Sequence, residues 1–133
     1  MKTSSAKAKG RRAAKEVREV ILDYFPELHA DDVGVASSGV TGEDVTLSKK
    51  ARDVLPVSIE CKNVEALNVW KALEQAESNA GDHAPVLCFR RNRSKLYAAV
   101  DASWFFSVMR RLHAAETALE DCLESSRKEK SAR

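Results

Sequence analysis

The chain has 133 residues, of which 44% are hydrophobic and 32% charged, with five glycines, three prolines and a net charge of +2. That is material for one compact core, and it excludes collagen-like, elastic and wholly disordered classes. No apolar run approaches the roughly 18 to 20 residues of a membrane span, and the polar N-terminus lacks a signal-peptide core, so a soluble, intracellular, cytoplasmic protein is expected.

Residues 1–9 are small and polar, and they predict a flexible basic arm ahead of a single domain over 10–125 and a polar tail over 126–133. From Arg11 onward, Ala13, Val17, Val20, Ile21, Tyr24 and Leu28 recur at helical spacing until Pro26 stops the regular helix. Two short strands are expected at Val33–Ser37 and Asp44–Leu47, separated by a glycine-bearing turn, SGVTG, over 38–42. Residues 48–55 read as a charged connection, and Val57–Lys62 alternates apolar and polar residues as a strand does. Asn63–Asn79 reads as a second helix, with Ala66, Trp70, Leu73 and Glu77 on one stripe and Asn68, Ala72, Gln75 and Asn79 on another, polar one. Val86–Phe89 and Lys95–Val100 form an expected hairpin around the basic turn RRNRS. A last helix, 102 to about 125, carries Phe105, Val108, Leu112, Ala115, Leu119 and Cys122 at alternating steps of three and four. The order α-β-β-β-α-β-β-α predicts an α/β or α+β fold, with helices flanking a mixed sheet of about five strands, one pair parallel through the second helix.

Charge is unevenly placed. Residues 1–15 hold six bases and no acid, 16–89 hold six bases against fourteen acids, and 90–95 add four bases. Two basic patches, with Lys9, Arg11, Arg12 and Lys15 in one and Arg90, Arg91, Arg93 and Lys95 in the other, suit a phosphate backbone. The acidic middle would repel that backbone unless cations sit there. The basic turn lacks side chains suited to reading bases, which favours recognition of DNA by shape. Cys61, Cys88 and Cys122 form no CxxC pair and read as reduced, mostly buried thiols. Trp70 and Trp104 read as packing anchors.

Glu60-Cys61-Lys62 is the sharpest local feature. In a strand, Ser58, Glu60 and Lys62 share one face while Val57, Ile59 and Cys61 point into the core. Asp44, just after Gly42, can lie beside Glu60 on a neighbouring strand. Two adjacent carboxylates repel, and a hard divalent cation relieves the repulsion; Lys62 can then orient or activate a water and offset phosphate charge.

The glycine turn with Asp44, the ExK tripeptide, a following helix with a glutamine, and the basic flanks together resemble the PD-(D/E)xK, or restriction-endonuclease-like, nuclease superfamily. More narrowly, SSGVTGEDVTLSKKARDVLPVSIECKN and EQAESNAGDHAPVLCFRRNRSKLYAAV resemble phage and prophage endonucleases described as Holliday-junction-resolvase-like. The resemblance spans Gly10 to Phe106, with Glu43 replacing the motif proline and fifteen residues between Asp44 and Glu60. It implies catalytic Asp44, Glu60 and Lys62, a third acidic ligand at Glu16 on the first helix (Glu19 competing), and Gln75 as a water- or phosphate-positioning side chain. Asp44, Glu60 and Glu16 would bind Mg²⁺ or Mn²⁺. The implied activity is metal-dependent hydrolysis of DNA, branched DNA in particular, leaving a 5′-phosphate, in a phage or prophage setting. The alternatives are a phage nickase or general duplex endonuclease, and a non-catalytic DNA-binding protein that kept the fold. The heptad spacing of the last helix, with the two nicks that junction resolution needs, implies a homodimer.

Overall fold

The structure, a computed structural model, describes residues 3–37 and 42–132. Lys2 of the expected arm and most of the expected glycine turn, 38–41, lie outside the described residues. The chain divides into two units, Met1–Val100 and Asp101–Arg133, where the sequence led us to expect one domain over 10–125.

The first unit is an α+β fold around a mixed five-stranded sheet of order β1-β2-β3-β4-β5. Helix α1 spans Thr3–Tyr24, so residues 3–9, expected as an arm, extend the helix. Ala6, Lys7, Ala8 and Lys9 are good helix formers, and the absence of an apolar stripe there hid this. Ala13, Ala14, Val17 and Ile21 are its buried positions, and α1 packs on the sheet. Tyr24 and Val20, expected in the stripe, are exposed. The regular helix ends two residues before Pro26, as expected. Arg18 ties α1 to the sheet by donating from Nε to the Val33 carbonyl at 2.6 Å and from Nη2 to that of Ala30 at 2.9 Å.

Strands β1 (Val33–Val35) and β2 (Val45–Leu47) pair antiparallel. Gly34 lies opposite Thr46, and a Cβ there would come 2.6 Å from Thr46 Oγ1, which is why glycine occupies the strand. The stretch expected as an irregular connection holds a short helix, α2 (Lys49–Val54). Ser48 caps it, accepting from the Ala51 N–H at 3.1 Å while donating to Asp32 Oδ1 at 2.7 Å.

Strand β3 (Val57–Asn63) is the centre of the sheet. It pairs antiparallel with β2 and parallel with β4 (Ala84–Arg90), with α3 (Val69–Ala80) as the connection. Helices α1 and α3 both pack on it. Ser58 and Glu60 are therefore buried along with Val57, Ile59 and Cys61, where the alternating pattern had assigned only one face to the core.

Helix α3 begins at Val69, capped by Asn68 accepting from the Lys71 N–H at 3.2 Å, later than the expected start at Asn63. Its buried positions are Ala72, Ala76 and Ala80, a row of small side chains that lets the backbone lie close to the sheet. Trp70 stands roughly 200° around the helix from Ala72 and is 80% exposed, so it is no packing anchor. Strand β5 (Tyr97–Ala99) pairs antiparallel with β4 and completes the expected hairpin.

The second unit is one helix, α4 (Ala102–Ala132), capped by Asp101 Oδ1 accepting from the Trp104 N–H at 2.8 Å. It is longer than the expected 102–125 and takes in residues assigned to a polar tail. None of its residues is buried, and Cys122 is an exposed thiol rather than a buried one. No helix among the described residues is long and apolar enough to cross a membrane.

Candidate active site

The site forms where β2 leaves β3. The positive φ of Gly42, +113°, turns the chain into the strand. Next to it, the Glu43 carboxylate pairs with the Arg52 guanidinium of α2, and Arg52 also donates from Nη1 to the Val57 carbonyl at 3.0 Å. Glu43 thus anchors the turn through an ion pair. Asp44 is held by its backbone: its N–H donates to the Ile59 carbonyl at 2.8 Å and its carbonyl accepts from the Ala36 N–H at 2.9 Å. Its side chain replaces the strand partner that β2 no longer supplies, with Oδ2 accepting from the Cys61 N–H at 2.7 Å. Fifteen intervening residues therefore still return Asp44 to the middle of β3.

Glu60 is 3% exposed. Its Oε1 lies 3.4 Å from Lys62 Nζ, and its Oε2 accepts from Asn79 Nδ2 of α3 at 3.4 Å. Burial pushes the Glu60 carboxyl above its ordinary range and the neighbouring Asp44 charge pushes the same way, while Lys62 and Asn79 oppose both. A cavity of about 260 Å³ opens here, lined by Asp44, Glu60, Lys62 and Gln75 together with Lys7 and Arg11 of α1. Four of the five expected catalytic side chains thus meet in one concavity.

Glu16 does not join them. It accepts from Arg90 Nη1 at 2.7 Å and lines a different cavity with Lys9, Arg12, Asn63 and Asn92. Five residues separate it from Arg11, which at about 100° per residue turns it to another side of α1. Glu19 is exposed. What α1 brings to Asp44 and Glu60 is cationic, Lys7 and Arg11, four residues apart. Lys7 was missed as a site residue because the helix was expected to begin only at Arg11. Asn79 follows Gln75 by one helical turn, and that step of four was the signal for it.

Burial raises the Cys61 thiol far above its ordinary value, with Cys88 and the two carboxylates adding to the effect, and burial raises Cys88 to about 11. Thiols raised by burial are poor nucleophiles. Among the described residues no three His, Cys, Asp or Glu side chains gather as a metal-binding group. The donor set at the cavity is two carboxylates with room for water. That fits a hard cation such as Mg²⁺, which keeps several waters and takes one or two carboxylates, and does not fit a site closed by nitrogen and sulfur.

The chain was compared with protein-family models, curated proteins and solved structures. None of them matches. The functional reading therefore rests on the residues in the cavity.

Proposed function

We propose that the protein is a Mg²⁺- or Mn²⁺-dependent DNA endonuclease that hydrolyses phosphodiester bonds of branched DNA, working inside the cell in phage or prophage DNA processing. The observation that carries this reading is the meeting of Asp44, Glu60 and Lys62 in one cavity beside Lys7 and Arg11. Asp44 and Glu60 would hold the cation. When bound, it supplies Lewis-acid polarisation of the scissile phosphate and a water acidified for attack. Glu60, buried beside Asp44, favours any arrangement that spreads its negative charge. Lys62, partly exposed at the cavity, would set its ammonium against the charge that accumulates on the phosphate during P–O cleavage. Lys7 and Arg11 draw in the flanking phosphates, and the exposed amide of Gln75 hydrogen-bonds a phosphate oxygen or water. Matched four-way-junction and linear duplexes incubated with the protein and Mg²⁺ test the reading. Preferential cutting of the junction supports it, equal cutting of both reduces it to a general duplex endonuclease, and cutting of neither leaves a DNA-binding protein without catalysis.

The basic turn contributes affinity in this reading. Arg91, Arg93 and Lys95 are exposed, whereas Arg90 is engaged by Glu16. Neutralising the three exposed charges is expected to flatten the slope of log K against log salt by roughly 2 to 3 units, at about 0.9 per phosphate contact on duplex DNA. An unchanged slope would remove the turn from the interface.

A homodimer through α4 belongs to the same proposal. A lone helix has nothing within its own unit on which to bury a stripe, and Leu112 and Leu119 are 47% and 60% exposed. Heptad spacing matches that stripe to a second copy of the helix. Leu112→Glu with Leu119→Glu is expected to give a folded monomer, measured by sedimentation, with reduced junction resolution. Gross unfolding of the double variant, or a wild-type monomer at tens of micromolar, would contradict the dimer.

A further inference from the structure

A second groove, about 570 Å³ in volume, lies beyond the ends of β3 and β4, lined by Val64, Leu67, Phe89, Arg90, Arg91 and Tyr97. Its lining combines aliphatic and aromatic side chains with two arginines. Phe89 and Tyr97 stand with ring centroids 6.2 Å apart at 32°, and Tyr97, at 56% exposure, is the open member of the pair. The single acid at the groove, Glu65, is occupied: its Oε1 accepts from the Asn92 N–H at 3.0 Å.

Strand register links this groove to the cavity already described. Lys62 pairs with Phe89 across β3 and β4, and Phe89 pairs with Tyr97 across β4 and β5. Paired residues share a face of the sheet, so Lys62, Phe89 and Tyr97 form a row across three strands. At strand spacing, Lys62 and Tyr97 are separated by about 10 Å, the span of a nucleotide or two along one strand.

We propose that this groove binds an unpaired DNA base, stacked on Tyr97, with a flanking phosphate on the exposed Arg91. The inference rests on the nuclease reading for the strand's path past Lys62. A base inside a duplex already has both faces stacked, whereas an unpaired one exposes a π-face that an aromatic ring and guanidinium groups take up without regard to sequence. The site would thereby select DNA with unpaired nucleotides near the cleavage point and supply a structural preference that the carboxylates and Lys62 lack.

Fluorescence anisotropy in EDTA at fixed salt tests this without requiring cleavage. The probes are a blunt duplex, the same duplex with a short oligothymidine tail, and the tailed duplex with abasic tail positions. The wild-type protein should prefer the thymidine tail to both others. Tyr97→Ala should weaken tail binding roughly tenfold, within the range of a single base–aromatic stack, while leaving blunt-duplex affinity unchanged, and Tyr97→Phe should keep the preference. Unchanged blunt-duplex affinity also shows that the variant is folded. Equal affinity for tailed and blunt duplexes, equal affinity for thymidine and abasic tails, or a tail preference that survives Tyr97→Ala would overturn the proposal. If Asp44→Asn still abolishes cleavage in that case, the nuclease reading stands and the groove alone fails. A tail preference lost with Tyr97 in a protein that cuts no DNA would support the groove and sink the nuclease.

Discussion

Asp44→Asn and Glu60→Gln are each expected to reduce DNA cleavage by on the order of a hundred- to a thousandfold or more, the scale seen when one preorganised charge-stabilising group is removed. The two substitutions are nearly isosteric, so the loss cannot be assigned to packing. Asparagine at 44 still offers an oxygen to the Cys61 N–H, the bond that Oδ2 accepts at 2.7 Å, and glutamine at 60 still accepts from Asn79. The fold and the basic surfaces therefore survive, and DNA affinity in EDTA should remain close to that of the wild type. What disappears is negative charge at a cavity whose other charged groups are Lys7, Arg11 and Lys62. Lys62→Ala should depress turnover as well. Its loss also leaves Glu60 without its ammonium neighbour at 3.4 Å, so the Lys62 and Glu60 effects should not add. Near-wild-type cutting by Asp44→Asn or Glu60→Gln would remove the pair from catalysis.

Glu60→Gln should also stabilise the metal-free protein at neutral pH. Glu60 is buried beside Asp44, and its folded-state pKa stands above the ordinary 4.5. The folded chain consequently binds that proton more tightly than the unfolded chain, so stability from this group is fully present below about pH 4 and is lost as pH rises through 4.5 toward the raised value. Glutamine does not ionise and escapes the loss. In EDTA the variant is expected to melt with the wild type near pH 4 and a few degrees above it at pH 7. A variant less stable than wild type at pH 7 would mean that the Lys62 ion pair outweighs the burial of the charge. A substitution that stabilises the fold while removing activity is the pattern expected where charge is held for function.

Long-range order was legible in the sequence because it is written in periodicity: the α+β fold, the parallel pair through α3 and the basic β4–β5 hairpin all follow from where period two gives way to period 3.6. Partner-dependent features were not legible. Helix α2 is stabilised by Ser48 bonding to Asp32, sixteen residues earlier, and nothing within 48–55 announces that. Trp70 was read as core because it is large and apolar, but tight helix–sheet packing favoured Ala72, Ala76 and Ala80. At the site, Glu60 and Lys62 are neighbours through strand alternation alone, which any reader of the ExK tripeptide can see. Asp44 comes to them because a carboxylate replaced a missing strand partner at Cys61. The acidic contribution expected from α1 rested on resemblance, and Arg90, seventy-four residues away, instead draws Glu16 to its own side of the helix.

Thermal unfolding in increasing Mg²⁺ at neutral pH tests the central claim, that Asp44 and Glu60 together hold a divalent cation, without a nucleic acid in the assay. A cation that binds the folded chain alone raises Tm with concentration, by about 1.4 kcal/mol of stability at ten times its Kd. The wild-type protein is expected to show that rise over the millimolar range, and Asp44→Asn and Glu60→Gln to lose it. A wild-type Tm that ignores Mg²⁺ and Mn²⁺, or one that rises equally in Asp44→Asn, would contradict the claim.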